Sequence, residues 1–266
     1  LSSWPASSFW RSRPNWSARA RFRAYSGALV SELSAAPPAT AHDLPAALRR
    51  FAERNGGDPD GPHRTATLLQ DVTFRQAQDA AWGPMEGRHH MAIGQPGFVW
   101  EGRSPGVVLP RVVVIDAFVA GAGQLRVFLL GAIPVAHAQG PVIDRAEAMR
   151  YLAEIVWSPD AILRNPAIQW TQTAPDAVEA ALDLPSGRAV VTLLFDDAGD
   201  IVEMQAERPD AGPDGVERLR SWRGYFRNYD WIGDRRIPLD GEVGYVDDGV
   251  YWAYWRGRIT DYRLHD

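Results

Sequence analysis

The sequence predicts an α+β fold, mainly β, in which one long antiparallel meander carries most of the chain and a helix crosses it. Three observations support this. From Thr65 onward the apolar residues recur with a period of two. Turn chemistry separates these runs, with AGAGQ at 120–124, DDAGD at 196–200 and the Asp-Gly of VDDGV at 246–250. The alternation of strand and helix that builds a parallel sheet is missing.

The elements follow in order. Residues 1–34 hold Trp4, Trp10 and Trp16 and five arginines between Arg11 and Arg23. Such a basic, aromatic segment either lies on an anionic membrane surface or packs on the domain as an arm or helix; its weak hydrophobic periodicity favours the second. SAAPPATA (34–41) reads as a linker, so residues 1–41 form an arm and linker and 42–266 a single domain. HDLPAALRRFAERNGG (42–57) is a short helix with Asp43 as N-cap and Pro45 in the first turn. Its apolar face is Leu44, Leu48 and Phe51, and Gly56-Gly57 ends it. Strands then follow at TATLLQDVTFRQA, GFVWEGR, RVVVIDAFV, LRVFLLGAI, RAVVTLLFDD, DIVEMQAER, WRGYFRNYDWI, EVGYVDDGVYWAYW and GRITDYRL.

The helix that interrupts them spans 144–157. Asp144 is its expected N-cap, Glu147 completes a capping-box-like pair, and Pro159 stops it. At 100° per residue, Ala148, Met149, Tyr151, Leu152, Ile155 and Val156 share one face, and Glu147, Arg150, Glu154 and Trp157 share the other. Spacing alone makes the second face solvated, with an Arg150–Glu154 pair worth about 0.3–0.5 kcal/mol. A lone helix in a curled sheet, however, is wrapped on one side and borders the open mouth on the other. That setting puts Arg150, Glu154 and Trp157 at the rim of a cavity.

Composition excludes several chemistries. The 266 residues contain no cysteine, which removes disulfides, thiol nucleophiles and Cys-based metal sites. All 28 basic residues are arginine, so Schiff-base chemistry and a P-loop lysine are ruled out. The net charge of −5 argues against a general nucleic-acid binder. Eleven tryptophans are many, and suit a large core, a ligand cleft or a membrane edge. No run of about 18 apolar residues exists to span a bilayer as a helix. The chain begins at Leu1, compatible with a removed signal or anchor; the compartment stays open, with the cell envelope ahead of the cytoplasm.

Motifs add little. GAGQLR fails as a dinucleotide fingerprint because a strand follows it. There is no nucleophile elbow and no HExxH, and DDAGD lacks the length of a calcium loop. His89-His90 would point to opposite faces of a strand, so a surface or loop pair is expected rather than a metal site. Neither metal nor cofactor is expected. Asp116 interrupts a strand of Val, Ile, Ala and Phe, and sits at a bend, bonds to backbone, or faces a cleft.

PGFVWEGR (96–103), IDAFVAGAGQL (115–125), MRYLAEIVWSPDAIL (149–163) and YWRGRITDYR (254–263) together resemble an uncharacterised bacterial family, of the domain of unknown function 6544/6920 type. The resemblance runs from about His42 to the end. It implies a fold similar to lipoprotein localisation factors: a half-open antiparallel barrel with a helix across the concave side, which holds lipid tails. The positions matching its motifs are Arg75, Trp82, Trp100, Asp116, Arg150, Glu154 and Trp157.

Three functions are carried forward. The first is a binding protein for an apolar or amphipathic small molecule, lipid-like, in a cleft between the sheet and helix 144–157. Trp82, Phe98, Trp100 and Trp157 would be its wall, and Arg75 or Arg150 would meet a carboxylate or phosphate head group. The second is a metal-free isomerase, cyclase or lyase using Glu154 or Asp116 as general acid or base, with Arg150 stabilising an anion. The third is an envelope-associated interaction module using arm 1–34.

Overall fold

A computed structural model describes residues 16–39, 44–105, 112–129, 133–211 and 216–266. Among them thirteen strands form one sheet. They are β1 (Thr65–Phe74), β2 (Gly83–Ala92), β3 (Phe98–Arg103), β4 (Val112–Val119), β5 (Ala122–Leu129), β6 (Ile133–Gln139), β7 (Gln169–Ala174), β8 (Ala177–Leu184), β9 (Gly187–Phe195), β10 (Ile201–Ala211), β11 (Glu217–Ile232), β12 (Arg235–Asp247) and β13 (Val250–His265). The helices are α1 (Trp16–Leu33), α2 (Ala46–Arg54), α3 (Pro141–Glu154) and α4 (Pro159–Arg164), with a 3-10 turn at Ile155–Trp157 between the last two.

The order across the sheet is β6-β5-β4-β3-β2-β1-β13-β12-β11-β10-β9-β8-β7. It is an antiparallel meander curled into a half-barrel, as the sequence predicts. The first and last strands pair at its centre, from Thr65 opposite His265 to Phe74 opposite Trp255. The two edges, β6 and β7, are joined only through α3, the 3-10 turn and α4. The connecting segment therefore has to cross from one edge to the other, and it does so over the concave face.

The hairpins follow from their turn residues. Val119 pairs with Ala122, leaving Ala120 and Gly121 as a two-residue turn with φ of 52° and 80°. Two positive φ values make the primed turn that matches strand twist, and glycine accepts one without strain. Asp248 and Gly249 repeat this between β12 and β13, with φ of 52° and 78°.

Two cores result. The larger fills the concave side, where Tyr151, Leu152, Ile155, Val156 and Trp157 pack against the sheet. The smaller lies on the other face of β2–β4, where α1 covers Ala92, Val99, Ile115, Ala117 and Val119 with Leu33. Segment 112–119 is covered on both faces, so it reads as a nearly unbroken apolar run. Of the two readings of the N-terminal segment, packing on the domain holds for 16–33: Phe22 meets Phe128 edge-on, and Ser26 bonds to Glu101. Residues 1–15 and Asp43 lie outside the described residues, and α2 begins at Ala46 with Pro45, not Asp43, at its N-cap.

Several expectations need correction. The crossing helix begins at Pro141, not Asp144, and Gly140 precedes it. The Asp144 carboxylate instead accepts from the Gly123 amide at 2.8 Å, tying the β4–β5 hairpin to α3. The helical stretch does end at Trp157, with Ser158 extended ahead of Pro159, and Pro159 then opens the separate helix α4. Trp157 is 2% exposed and belongs to the core. The 3-10 turn accounts for this, because its 120° step rotates residue 157 off the face that a continuous α-helix would give it. His89 and His90 do face opposite ways on β2, but His89 is fully buried rather than a surface residue. The sequence reading also passed over β2, β6, β7 and β8.

Candidate functional site

The site grows from one row of the sheet. His89 on β2 lies opposite Trp100 on β3, and Trp100 lies opposite Asp116 on β4. Side chains at paired positions share a face, here the concave one. Across it, α3 presents Glu147, Arg150 and Glu154, spaced i, i+3, i+7 along one stripe. Arg208 on β10 reaches the same stripe from the other half of the sheet.

The contacts are charge-assisted hydrogen bonds. Arg150 donates through Nη1 to Asp116, and through Nε to Glu154 Oε1 at 2.9 Å. Its guanidinium carbon sits 4.8 Å from the Phe98 ring centre and 5.4 Å from that of Trp100. Arg208 donates to Glu147 Oε1 at 2.9 Å and to the Tyr245 hydroxyl at 3.2 Å, over the Trp222 ring. His89 Nε2 lies 3.3 Å from Glu154 Oε2 but off the line of a hydrogen bond. Among the described residues, neither His89 nitrogen has a hydrogen-bond partner, and neither do Asp116 Oδ1, Glu147 Oε2 or Glu154 Oε2.

Burial governs the protonation states. It holds the His89 imidazole well below its ordinary value, with the Arg150 and His90 charges acting in the same direction, so His89 is neutral. It pushes the Glu147 carboxyl up to about 8; the Asp116 charge adds to this, while Arg208 and Arg150 oppose it. The unpartnered oxygens of Glu147 and Asp116 are the pair that one shared proton would join. Glu154 is also raised by burial, with Arg150 opposing. Burial alone would lower the Arg150 guanidinium, but Glu154, Asp116 and Glu147 outweigh it and raise its affinity for its proton.

The cluster is neither sealed nor on the surface. The Arg150, Glu154, Asp116 and Arg208 side chains keep 14–15% of their surface exposed. Half-buried Met85, Val114, Val243, Tyr245, Tyr254 and Trp255 pack against the same core. Tyr254 and Trp255 are consecutive, yet Tyr254 stacks on Tyr245 and Trp255 meets Trp157. A bulge at Val243/Gly244 allows this, because the extra residue on β13 breaks the strict alternation of faces.

Of the residues singled out in the sequence, Asp116, Arg150, Glu154, Phe98 and Trp100 converge here. Phe98 and Trp157 lie beneath the cluster rather than on a wall, and Trp157 Nε1 donates to the Pro238 carbonyl at 2.9 Å. Arg75 and Trp82 are elsewhere. Arg75 stacks on Trp82 at 4.7 Å, approaches Trp252 at 5.7 Å and donates to the Ala253 carbonyl, pinning the β1–β2 loop to β13. Arg208 and Tyr245 carry no signal of their own in the sequence, and His89 stands out there only as half of a pair expected at the surface. Glu147 carries one, since its place on the Arg150–Glu154 stripe is visible.

An open groove of about 630 Å³ lies over β1, β2, β11, β12 and β13, with Met85 in its lining. Asp71, Glu86, Asp240, Glu242, Arg256 and Arg258 line it, several already paired with one another.

A family described only as being of unknown function, DUF6544, matches residues 34–257. The chain belongs to that family. Among solved structures it is similar to a DUF1329 family protein from Desulfovibrio piger, at 7% identity and a TM-score of 0.47 over 82% of this chain and 92% of that one. It is also similar to a protein described as an outer membrane lipoprotein-sorting domain from Vibrio parahaemolyticus, at 9% identity and a TM-score of 0.45 over 82% and 90%. A LolA superfamily protein from Nitrosomonas europaea gives 11% identity and a TM-score of 0.42 over 85% and 94%. No curated protein matches the sequence. No helix among the described residues is long and apolar enough to cross a membrane.

Proposed function

We propose that this protein binds an amphipathic small molecule on the concave face of its half-barrel. The tail would lie against the half-buried aromatic and aliphatic side chains around Met85, Val114, Tyr254 and Trp255. The polar end would meet the cluster of Asp116, Arg150, Glu154 and Arg208. One observation carries this reading: a charged network keeps 14–15% of its side-chain surface open at the base of an apolar wall. Sites for small molecules are concave and mostly apolar, with a few convergent polar groups. A place in the cell envelope suits such a ligand.

Two measurements test the reading. Native mass spectrometry of gently purified protein should show an adduct of lipid-like mass. The neutral fluorophore N-phenyl-1-naphthylamine should bind saturably and be displaced by single-chain amphiphiles. A clean unliganded mass together with no saturable probe binding would refute it.

A second reading has its own support. Glu154 is a buried carboxyl with a raised pKa beside a neutral histidine, an arrangement suited to metal-free acid–base chemistry. Turnover of a bound ligand, abolished by Glu154→Gln while binding persists, would favour it over simple carriage.

A further inference from the structure

We propose that the head group selected by this concave face is a cation, specifically a primary ammonium on an apolar chain, rather than a carboxylate or phosphate. This rests on the binding function proposed above and names its ligand class.

The first reason is charge. Asp116, Glu147 and Glu154 supply three carboxylates, while Arg150 and Arg208 supply two guanidiniums. Three against two leaves one carboxylate without a counter-charge. The guanidiniums are also already engaged. Arg150 is held by Asp116 and Glu154, and Arg208 by Glu147, Tyr245 and the Ala146 carbonyl. An arriving anion would have to break these bonds, and once the Glu147 proton is lost it would also meet an acidic excess.

The second reason is independent of charge count. The unpartnered carboxylate atoms of the cluster are all acceptors: Asp116 Oδ1, Glu147 Oε2 and Glu154 Oε2. A shared proton supplies the donor between Glu147 and Asp116 while it is held, and Glu154 Oε2 is left without one. His89 cannot supply the cation, because it is wholly buried and neutral, and its Nε2 sits 3.3 Å from Glu154 without a hydrogen bond. An ammonium has three donors and no acceptor, which matches what is missing. The site's aromatic rings already face a cation, since Phe98 and Trp100 hold the Arg150 guanidinium over their faces.

At neutral pH the missing positive charge is the proton shared by Glu147 and Asp116. A bound ammonium takes over its electrostatic role, so binding expels that proton and tightens as pH rises toward 8. The groups facing the pair are His89 from β2, Arg150 and Glu154 from α3, Arg208 from β10, Tyr245 from β12 and Tyr254 from β13. Of these groups and the pair itself, Glu147 is the group pushed up into this range, and burial raises Glu154 as well.

The test is isothermal titration calorimetry of the full chain with dodecylammonium and with dodecanoate, each below its micelle concentration, at pH 7 and pH 8.5. Dodecylammonium should bind at least about tenfold more tightly than dodecanoate, equivalent to about 1.4 kcal/mol. Its affinity should rise between the two pH values, and buffers of different ionisation heat should reveal proton release at pH 7. Asp116→Asn and Glu154→Gln should each bring the two ligands toward parity, and Arg258→Gln on the opposite face should not. Equal or tighter binding of dodecanoate to the unmodified protein overturns the ammonium assignment and leaves the binding function standing. Binding of neither ligand overturns both. The comparison on the unmodified protein decides the matter even if a variant fails to fold.

Discussion

Glu147→Gln is the most informative perturbation of the charged cluster, because it fixes in place the form that burial imposes. In the folded protein the Glu147 carboxyl is pushed from 4.5 up to about 8. The folded state therefore holds a proton that the unfolded chain has released anywhere between those values. A carboxyl raised in this way contributes its full stabilisation below about pH 4.5 and loses it as pH rises through about 8. At about 1.4 kcal/mol per pH unit, the interval corresponds to about 5 kcal/mol as a ceiling. Glutamine keeps the acceptor for Arg208 and offers an N–H to Asp116 in place of the proton. The variant should therefore show a flatter stability profile than the parent between pH 5 and pH 9, and should be the more stable of the two at pH 9. Urea denaturation monitored by tryptophan fluorescence at pH 5, 7 and 9 measures this directly. Parallel profiles for the two proteins would show that Glu147 is ionised throughout, and the shared proton would have to be abandoned.

Two further outcomes concern the scaffold. Asp160 is fully buried and takes both an Nε bond at 2.8 Å and an Nη2 bond at 2.9 Å from Arg235, so Asp160→Asn should cost about 3–5 kcal/mol in urea denaturation at pH 7. A loss below about 1 kcal/mol would mean the pair is not needed to hold α4 to β12. A Cβ on Gly102 would collide with Trp100 Cη2, so Gly102→Ala must displace that indole. The expected cost is about 1–3 kcal/mol, with a shift in tryptophan emission; an unchanged spectrum and stability would refute the close approach.

What was legible in the sequence depended on range. The apolar, β-branched run of β4 and the turn residues at 120–121 and 248–249 announced themselves locally, and so did the helical stripe of Glu147, Arg150 and Glu154. β2 was passed over because GPMEGRHHMA has two glycines, a proline and few β-branched residues. It is a strand because β1 and β3 flank it on both sides. β8, AVEAALDL, is built from good helix formers, and its strand conformation comes from pairing with β7 and β9. The misplacement of Trp157 came from extending an α-helical wheel into a 3-10 turn, a three-residue change of geometry that residue types do not signal. Arg208 and His89 lie 61 and 65 residues from their partners Glu147 and Glu154, and only the curl of the sheet brings them together.

The pairing of β1 with β13 at the middle of the sheet also bears on how the molecule is made. During synthesis β1 to β6 emerge as one half-sheet whose inner boundary, β1, carries a full row of unsatisfied amides and carbonyls. The strand that covers it, Val250–His265, is the last of the thirteen to leave the ribosome. The seam is thus closed only after the other twelve strands have emerged, and its contacts are among the most distant in sequence. Such pairings form slowly and leave a strand edge open meanwhile. A nascent chain stalled before Val250 would lack its central strand rather than a dispensable margin, and its two halves would be held by the crossing helical segment and by the contacts of α2 with Asp200, Tyr229 and Arg236.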